Sequence, residues 1–360
     1  MELMQASQQW SSRPADQRFV SLLDMQAYLQ EVRAQSRATV VSSRDILAVP
    51  DEDNKGLTIR GRSGLDYAPT HYSFGQLAQL SGAPTGYLRS LPSPLAADCV
   101  NYGLKFNRGA EDVGLLLQRN GSNVLRAATG PRYGRIWNSD IVGGLVRAVG
   151  DGTTGQWTVP GEFGKAVQVT KENTTLYASD RDMFVFLADE RNRIEVKDRR
   201  SGQPGSMARG FFVWNSEVGS TTFGISTFLF DYVCCNRIVW GAMDVKQFKL
   251  RHTASAPDRF IEEALPALQS YSDASAVNII DAVSKAQKAR IDNVEDFLAS
   301  RFTKRLAAEM QTVHEAEEGR PIETLWDATT AVTARAKYLP WQDERVAMER
   351  EGGKIMELAQ

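Results

Sequence analysis

Near the start of the chain, Phe19, Leu22, Leu23, Met25, Leu29 and Val32 recur at helical spacing, which predicts an amphipathic helix within Asp16 to Gln35. Ser42, Ser43 and Asp45 lead into Asp51-Glu-Asp-Asn-Lys-Gly56, a turn between strand-like pieces, with Leu57 to Arg60 as the second strand of a hairpin. Over Ser73 to Leu91 the pattern gives a short helix, a Gly82-Ala-Pro84 turn and a second helix. Ser73 is the expected N-cap and Gly82 the expected C′ residue. The pair has the outline of a helix-turn-helix. Its second helix carries only Arg89 as a basic residue, thin for reading a DNA groove, so two small helices packed on a sheet are favoured.

Val113 to Gln118 and Val124 to Ala128 alternate around Asn120-Gly121, the strongest short hairpin signal in the chain. Pro131-Arg-Tyr-Gly134 is a turn, and Asn138 or Ser139 is the expected cap of a helix through Val149. Trp157-Thr-Val159, Met183 to Ala188 and Phe211 to Trp214 read as strands, and Lys246 to Arg251 as a basic strand-like piece. Arg191 to Gly210, polar and rich in Arg and Gly, reads as a mobile insertion or a long hairpin loop. Ser220 to Phe230 fits strand or helix.

From Asp258 onward glycine becomes rare. Arg259 to Gln269, Ala274 to Lys288, Asn293 to Ala316, Pro321 to Ala336 and Gln342 to Leu358 carry helical periodicity, with Pro321 in the first turn of its helix. The expected fold is α+β, a sheet-based core with flanking helices and a mostly helical C-terminal region. Its parts are an N-terminal α/β region over 1–99, one sheet-rich core over 100–257 and a helical region over 258–360.

Composition, 42% hydrophobic and 24% charged, is that of a chain with a packed core and excludes wholesale disorder. A net charge of −2 argues against a protein coated in positive charge, yet leaves room for a local basic groove. Met1 to Pro14 lacks the apolar segment of a signal peptide, and no run approaches the roughly 20 apolar residues of a membrane span. The expectation is a protein of the bacterial cytoplasm with no membrane partner. Cys99 with the adjacent Cys234 and Cys235 makes a poor disulfide framework, and the adjacent pair reads as buried small hydrophobes in Phe228 to Trp240.

Catalytic signatures are missing from the sequence. His71, His252 and His314 lie far apart, outside any metal-ligand spacing, and no phosphate-binding glycine loop or nucleophile elbow is present. No cofactor, metal or catalytic residue is therefore assigned. Glu217, in Trp214-Asn-Ser-Glu-Val-Gly219, lies between apolar runs, where an unpaired carboxylate is costly. It is expected to be buried and bonded to backbone amides or to an arginine such as Arg126 or Arg132, and it is a candidate groove carboxylate.

Two segments interleave cations with rings. Arg126, Arg132 and Arg135 accompany Tyr133 and Trp137, while Lys246, Lys249, Arg251 and His252 alternate with Phe248 and Leu250. Single-stranded nucleic acid is bound by cations at its phosphates and by rings that stack its bases. The candidate binding residues are thus Arg126, Arg132, Tyr133, Arg135, Lys249, Arg251 and His252.

Several stretches look familiar together. They are Phe74 to Pro84, Leu125 to Gly134, Trp214 to Gly219, Val233 to Ile238, Leu250 to Thr253, and Leu325 to Arg335 with Gln342 to Arg345. In these the chain resembles the phage/plasmid-like domain-of-unknown-function 932 family, over roughly residues 70 to 350. The resemblance implies a mobile-element protein, often carried near replication and recombination genes, and brings no catalytic residues with it. The leading expectation is binding of single-stranded DNA without turnover. The alternatives are a protein that antagonises a host defence factor through its acidic helical tail, and a metal-dependent nuclease using Glu217. Expected partners are single-stranded DNA or a host or phage protein, with homo-oligomerisation possible.

Overall fold

The computed structural model describes residues 13–51, 53, 56–61, 64–106, 112–160, 168–189, 191–199, 203–231, 236–238, 248–273, 277–339 and 342–359. Cys234, Cys235 and Lys246 lie outside the described residues. After the short strand β1 (Arg18–Phe19), helix α1 (Leu22–Ala34) starts where Ser21 accepts the Asp24 N–H at its N-terminus. It buries Leu22, Met25 and Leu29, the apolar stripe read from the sequence.

The first sheet follows. It contains β2 (Ser36–Ser42), β3 (Leu47–Pro50), β4 (Leu57–Arg60), β5 (Asp66–Pro69), β6 (Asp112–Asn120) and β7 (Ser122–Thr129), in the order β2-β6-β7-β5-β4-β3. Gly121, at φ +65°, makes the expected turn between β6 and β7. Helices α2 (His71–Ser81), α3 (Thr85–Ser90) and α4 (Ser93–Phe106) accompany this sheet. Leu77, Leu88, Val100 and Leu104 share a core with Val113, Leu115 and Leu125.

Gly82 ends α2 in the left-handed region, as read, but the N-cap is Thr70 rather than Ser73. Thr70 Oγ1 accepts the Ser73 N–H, and the Ser73 hydroxyl, one turn further in, donates to the Leu125 carbonyl at 2.7 Å. The hydroxyl thus ties the helix to β7 instead of capping it.

Helix α5 (Asn138–Val149) leads to the second sheet. That sheet has β8 (Trp157–Thr158), β9 (Leu176–Ala178), β10 (Met183–Asp189), β11 (Ile194–Arg199), β12 (Gln203–Asn215), β13 (Phe223–Asp231), β14 (Asn236–Ile238) and β15 (Phe248–Leu250). Its path is β1-β9-β10-β12-β13-β14, with β8 on β10, β11 on β12 and β15 on β13. Residues 100–257 therefore do not form one sheet. The β6–β7 hairpin joins the N-terminal strands, because β7 pairs in parallel with β5. Arg191 to Gly210 holds two paired strands rather than a loop, and Ser220 to Phe230 contains a strand.

On one face of the second sheet, Val185, Phe211, Val213 and Phe223 pack under α1 and α5. Helix α6 (Ala256–Arg259), the π turn Phe260–Ala264 and helix α7 (Leu265–Asp273) add Phe260 and Leu268 to this core. The remaining helices are α8 (Val277–Lys288), α9 (Val294–Ala299), α10 (Lys304–Glu318), α11 (Leu325–Ala336) and α12 (Gln342–Glu357). Their core includes Ile194, Met207 and Leu229 of the second sheet. The C-terminal region is helical as expected, but Asn293 to Ala316 is broken at Thr303, the N-cap of α10. Pro321 precedes its helix, which starts with the reciprocal cap of Thr324 and Asp327. No helix among the described residues is long and apolar enough to cross a membrane.

Candidate nucleic-acid interface

The segments singled out in the sequence converge where the free face of the first sheet meets the β12–β13 loop. A β-bulge begins the arrangement. Leu116 pairs with Ala127 and Leu117 with Leu125, leaving Arg126 outside the ladder. The Arg126 guanidinium meets the Glu217 carboxylate at 2.9 Å, with both side chains 3% exposed. The other Glu217 oxygen accepts the Asn138 backbone N–H at 2.8 Å, at the first residue of α5. That helix has Trp137 at its N-cap position, with no side-chain cap of its own, so neither Asn138 nor Ser139 caps it. A carboxylate from a distant loop serves instead, where the helix dipole favours negative charge.

The rest of the loop is held as closely. Tyr133 donates its hydroxyl to Ser216 C=O at 2.8 Å, and Arg135 donates to Glu217 C=O. Asn215 Nδ2 donates to Ile136 C=O and to Asn138 Oδ1. Tyr72 donates to Gly219 C=O, and Gln76 donates to Val218 C=O while accepting the Ala128 N–H. Sequence reading missed Tyr72, Gln76 and Asn215, whose partners are 52 to 147 residues away.

Leu250 to Thr253 closes the junction. Gly134 N–H donates to His252 C=O, and His252 Nδ1 lies 3.0 Å from Gly134 C=O. A Cβ on Gly134 would sit 1.8 Å from the Thr253 carbonyl oxygen, so this approach needs glycine. The His252 and Tyr133 rings stack with centroids 4.8 Å apart. Burial holds His252 down at about pKa 4, against the pull of the Gly134 carbonyl. Burial also raises the Tyr133 hydroxyl and lowers Arg135.

The expected binding residues thus divide into two groups. Arg126 is buried against Glu217 and does not face solvent. Arg135, Tyr133 and His252 are half-buried and engaged with backbone and with one another. The Arg135 guanidinium lies 5.2 Å from the Tyr133 ring centroid and 5.8 Å from that of Trp137, over which Arg33 also sits. Arg132, Lys249 and Arg251 are exposed and have no ion-pair partner among the described residues. Arg132 and Arg251 immediately precede the stacked Tyr133 and His252 in the chain.

Beside the junction is a cleft of 270 Å³, bounded by β2, β6, the end of β7 and the side chains of Tyr133, Arg135 and Trp137. In the helix pair α2–α3, Arg89 donates to His71 C=O and lies over the Phe74 ring. Among the described residues no group of three or more His, Cys, Asp or Glu side chains is placed to hold a metal ion.

The family described as Domain of unknown function (DUF932) matches residues 164–350, which include the Glu217 loop, the Arg251–His252 segment and most of the helical region. No curated protein and no solved structure matches the chain.

Proposed function

The chain belongs to the DUF932 family, and from that premise we propose that it binds single-stranded DNA without chemical turnover. The setting proposed is replication or recombination in a phage or plasmid, as its resemblance to phage/plasmid-like proteins implies. The observation that carries the reading is the exposure of three cations, Arg132, Lys249 and Arg251, in and beside the junction segments. Arg132 and Arg251 adjoin the stacked Tyr133 and His252 in the chain, Lys249 lies on β15 opposite Gly224 of β13, and none of the three has a carboxylate partner among the described residues. Cations left without an internal partner on fixed backbone suit phosphates, whose contacts supply most sequence-independent affinity. The net charge of −2 confines that attraction to a local strip, so affinity is expected to be modest and steeply salt-dependent.

Glu217 has a positioning role in this reading. It neutralises Arg126, caps α5 and fixes the loop on which Tyr133 and Arg135 rest. Purified protein titrated with labelled single-stranded and duplex DNA of one length should bind the single strand more tightly. Charge reversal at Lys249 (Lys249→Glu) should weaken that binding. Equal affinity for both DNA forms, or none for either, would overturn the proposal.

A further inference from the structure

The cleft beside the junction has features that the cation strip does not explain. On β2 the even positions face away from the helical core, since Val41 packs into that core. Ala38 and Val40 are exposed there, Val40 by 54%. Val40 pairs directly with Gly114 of β6, over which Thr129 and the Gly130 carbonyl close in, so the floor is made by Ala38 and Val40. Thr129, Gly130 and Pro131 form the rim, and Arg132 follows Pro131 in the chain. Tyr133, Arg135 and Trp137 make the wall. The wall therefore holds a planar cation beside the apolar side chains of Ala38 and Val40.

We propose that this cleft takes one unstacked nucleobase of the bound strand, an inference that rests on the single-strand reading above. Pockets for small molecules measure roughly 300–1,000 Å³, so 270 Å³ suits one ring system and not a folded peptide. The Tyr133 ring is stacked against His252 and lies close to the Arg135 guanidinium, so the base does not stack on Tyr133. It lies against Ala38, Val40 and the Arg135 guanidinium, a group on which bases stack. The exposed Arg132, next to Pro131 at the rim, meets that nucleotide's phosphate.

The test fills the cleft from its exposed side. Val40→Trp and, separately, Ala38→Trp place a large ring at solvent-facing positions and should melt as the wild type does. Each protein is titrated with a single-stranded oligonucleotide and with an abasic chain of the same length. The cleft filled by tryptophan should bind the oligonucleotide about fivefold or more weakly, the loss of one stacked base. Its affinity for the abasic chain and its salt slope should match the wild type, because phosphate contacts are untouched. If at least one variant melts like the wild type and binds the oligonucleotide as tightly, the base site is wrong and the single-strand reading stands. Equal loss on both chains would also overturn it, because the phosphate strip would then have been disturbed. Failure of the wild type to bind any single strand overturns the single-strand reading itself, and the base site falls with it.

Discussion

At the scale of single residues, the ion pair of Arg126 and Glu217 decides how the interface is built. Both side chains are 3% exposed. Removing one member strands a buried charge, so Glu217→Leu should cost about 3–5 kcal/mol in urea unfolding. Arg126→Leu combined with Glu217→Leu should recover much of that loss, because two apolar groups of similar size leave no charge unpaired. A double variant as unstable as the sum of the singles would contradict this. His252 offers a second test. Its folded-state pKa of about 4 lies below the ordinary histidine value of 6.5. As pH falls below 6.5 the unfolded chain takes up a proton that the folded chain refuses. Stability present above 6.5 is therefore lost progressively as pH falls toward 4. His252→Gln should lose less stability than the wild type between pH 7.5 and pH 5, and parallel losses would remove His252 from the account. Burial and pairing of Glu217 were legible in the sequence, because a carboxylate between apolar runs has few other outcomes. Arg126 was among the partners the sequence offered it, and it is the one used; the bulge that takes Arg126 out of the ladder was not legible, because alternation alone does not reveal it.

At the scale of elements, two cross-strand pairs set the second sheet's register. Gly224 lies opposite Trp214, and Gly210 opposite Phe228, with each ring over the bare glycine. A Cβ on Gly224 would come within 2.0 Å of the Trp214 ring. Gly224→Ala should therefore destabilise the protein by about 1–3 kcal/mol through overpacking, measured as a lower urea midpoint. An unchanged midpoint would show that the ring yields freely. Helix periods were legible nearly everywhere, from Leu22 to Leu29 and through the C-terminal region, because amphipathic stripes depend on near neighbours. Helix ends were less so. Thr70 instead of Ser73, and Glu217 instead of Asn138, take the capping tasks, and the second choice is made across 79 residues of chain. The Arg191 to Gly210 segment looked like a loop because its polar residues and glycines hide a hairpin stabilised by pairing, which strand propensity alone does not supply.

At the scale of the whole molecule, two sheets and a helical C-terminal region meet in one arrangement, and the exposed cations lie where the Pro131-Arg-Tyr-Gly134 turn adjoins the Leu250-Arg-His-Thr253 segment. The assignment of the β6–β7 hairpin to the N-terminal sheet could not be read from the sequence. It rests on two parallel pairings, Ala68 with Val124 and Pro69 with Leu125, between distant segments. That same placement turns five expected groove cations into three exposed ones, with Arg126 buried and Arg135 bonded to the Glu217 carbonyl. The most direct measurement is the dependence of single-strand affinity on salt for the wild type and for Arg132→Ala combined with Arg251→Ala. Each lost phosphate contact should flatten the slope of log affinity against log salt by about 0.7, so the double variant should bind more weakly with a slope shallower by about 1.4. An unchanged affinity and slope in the double variant would contradict the account.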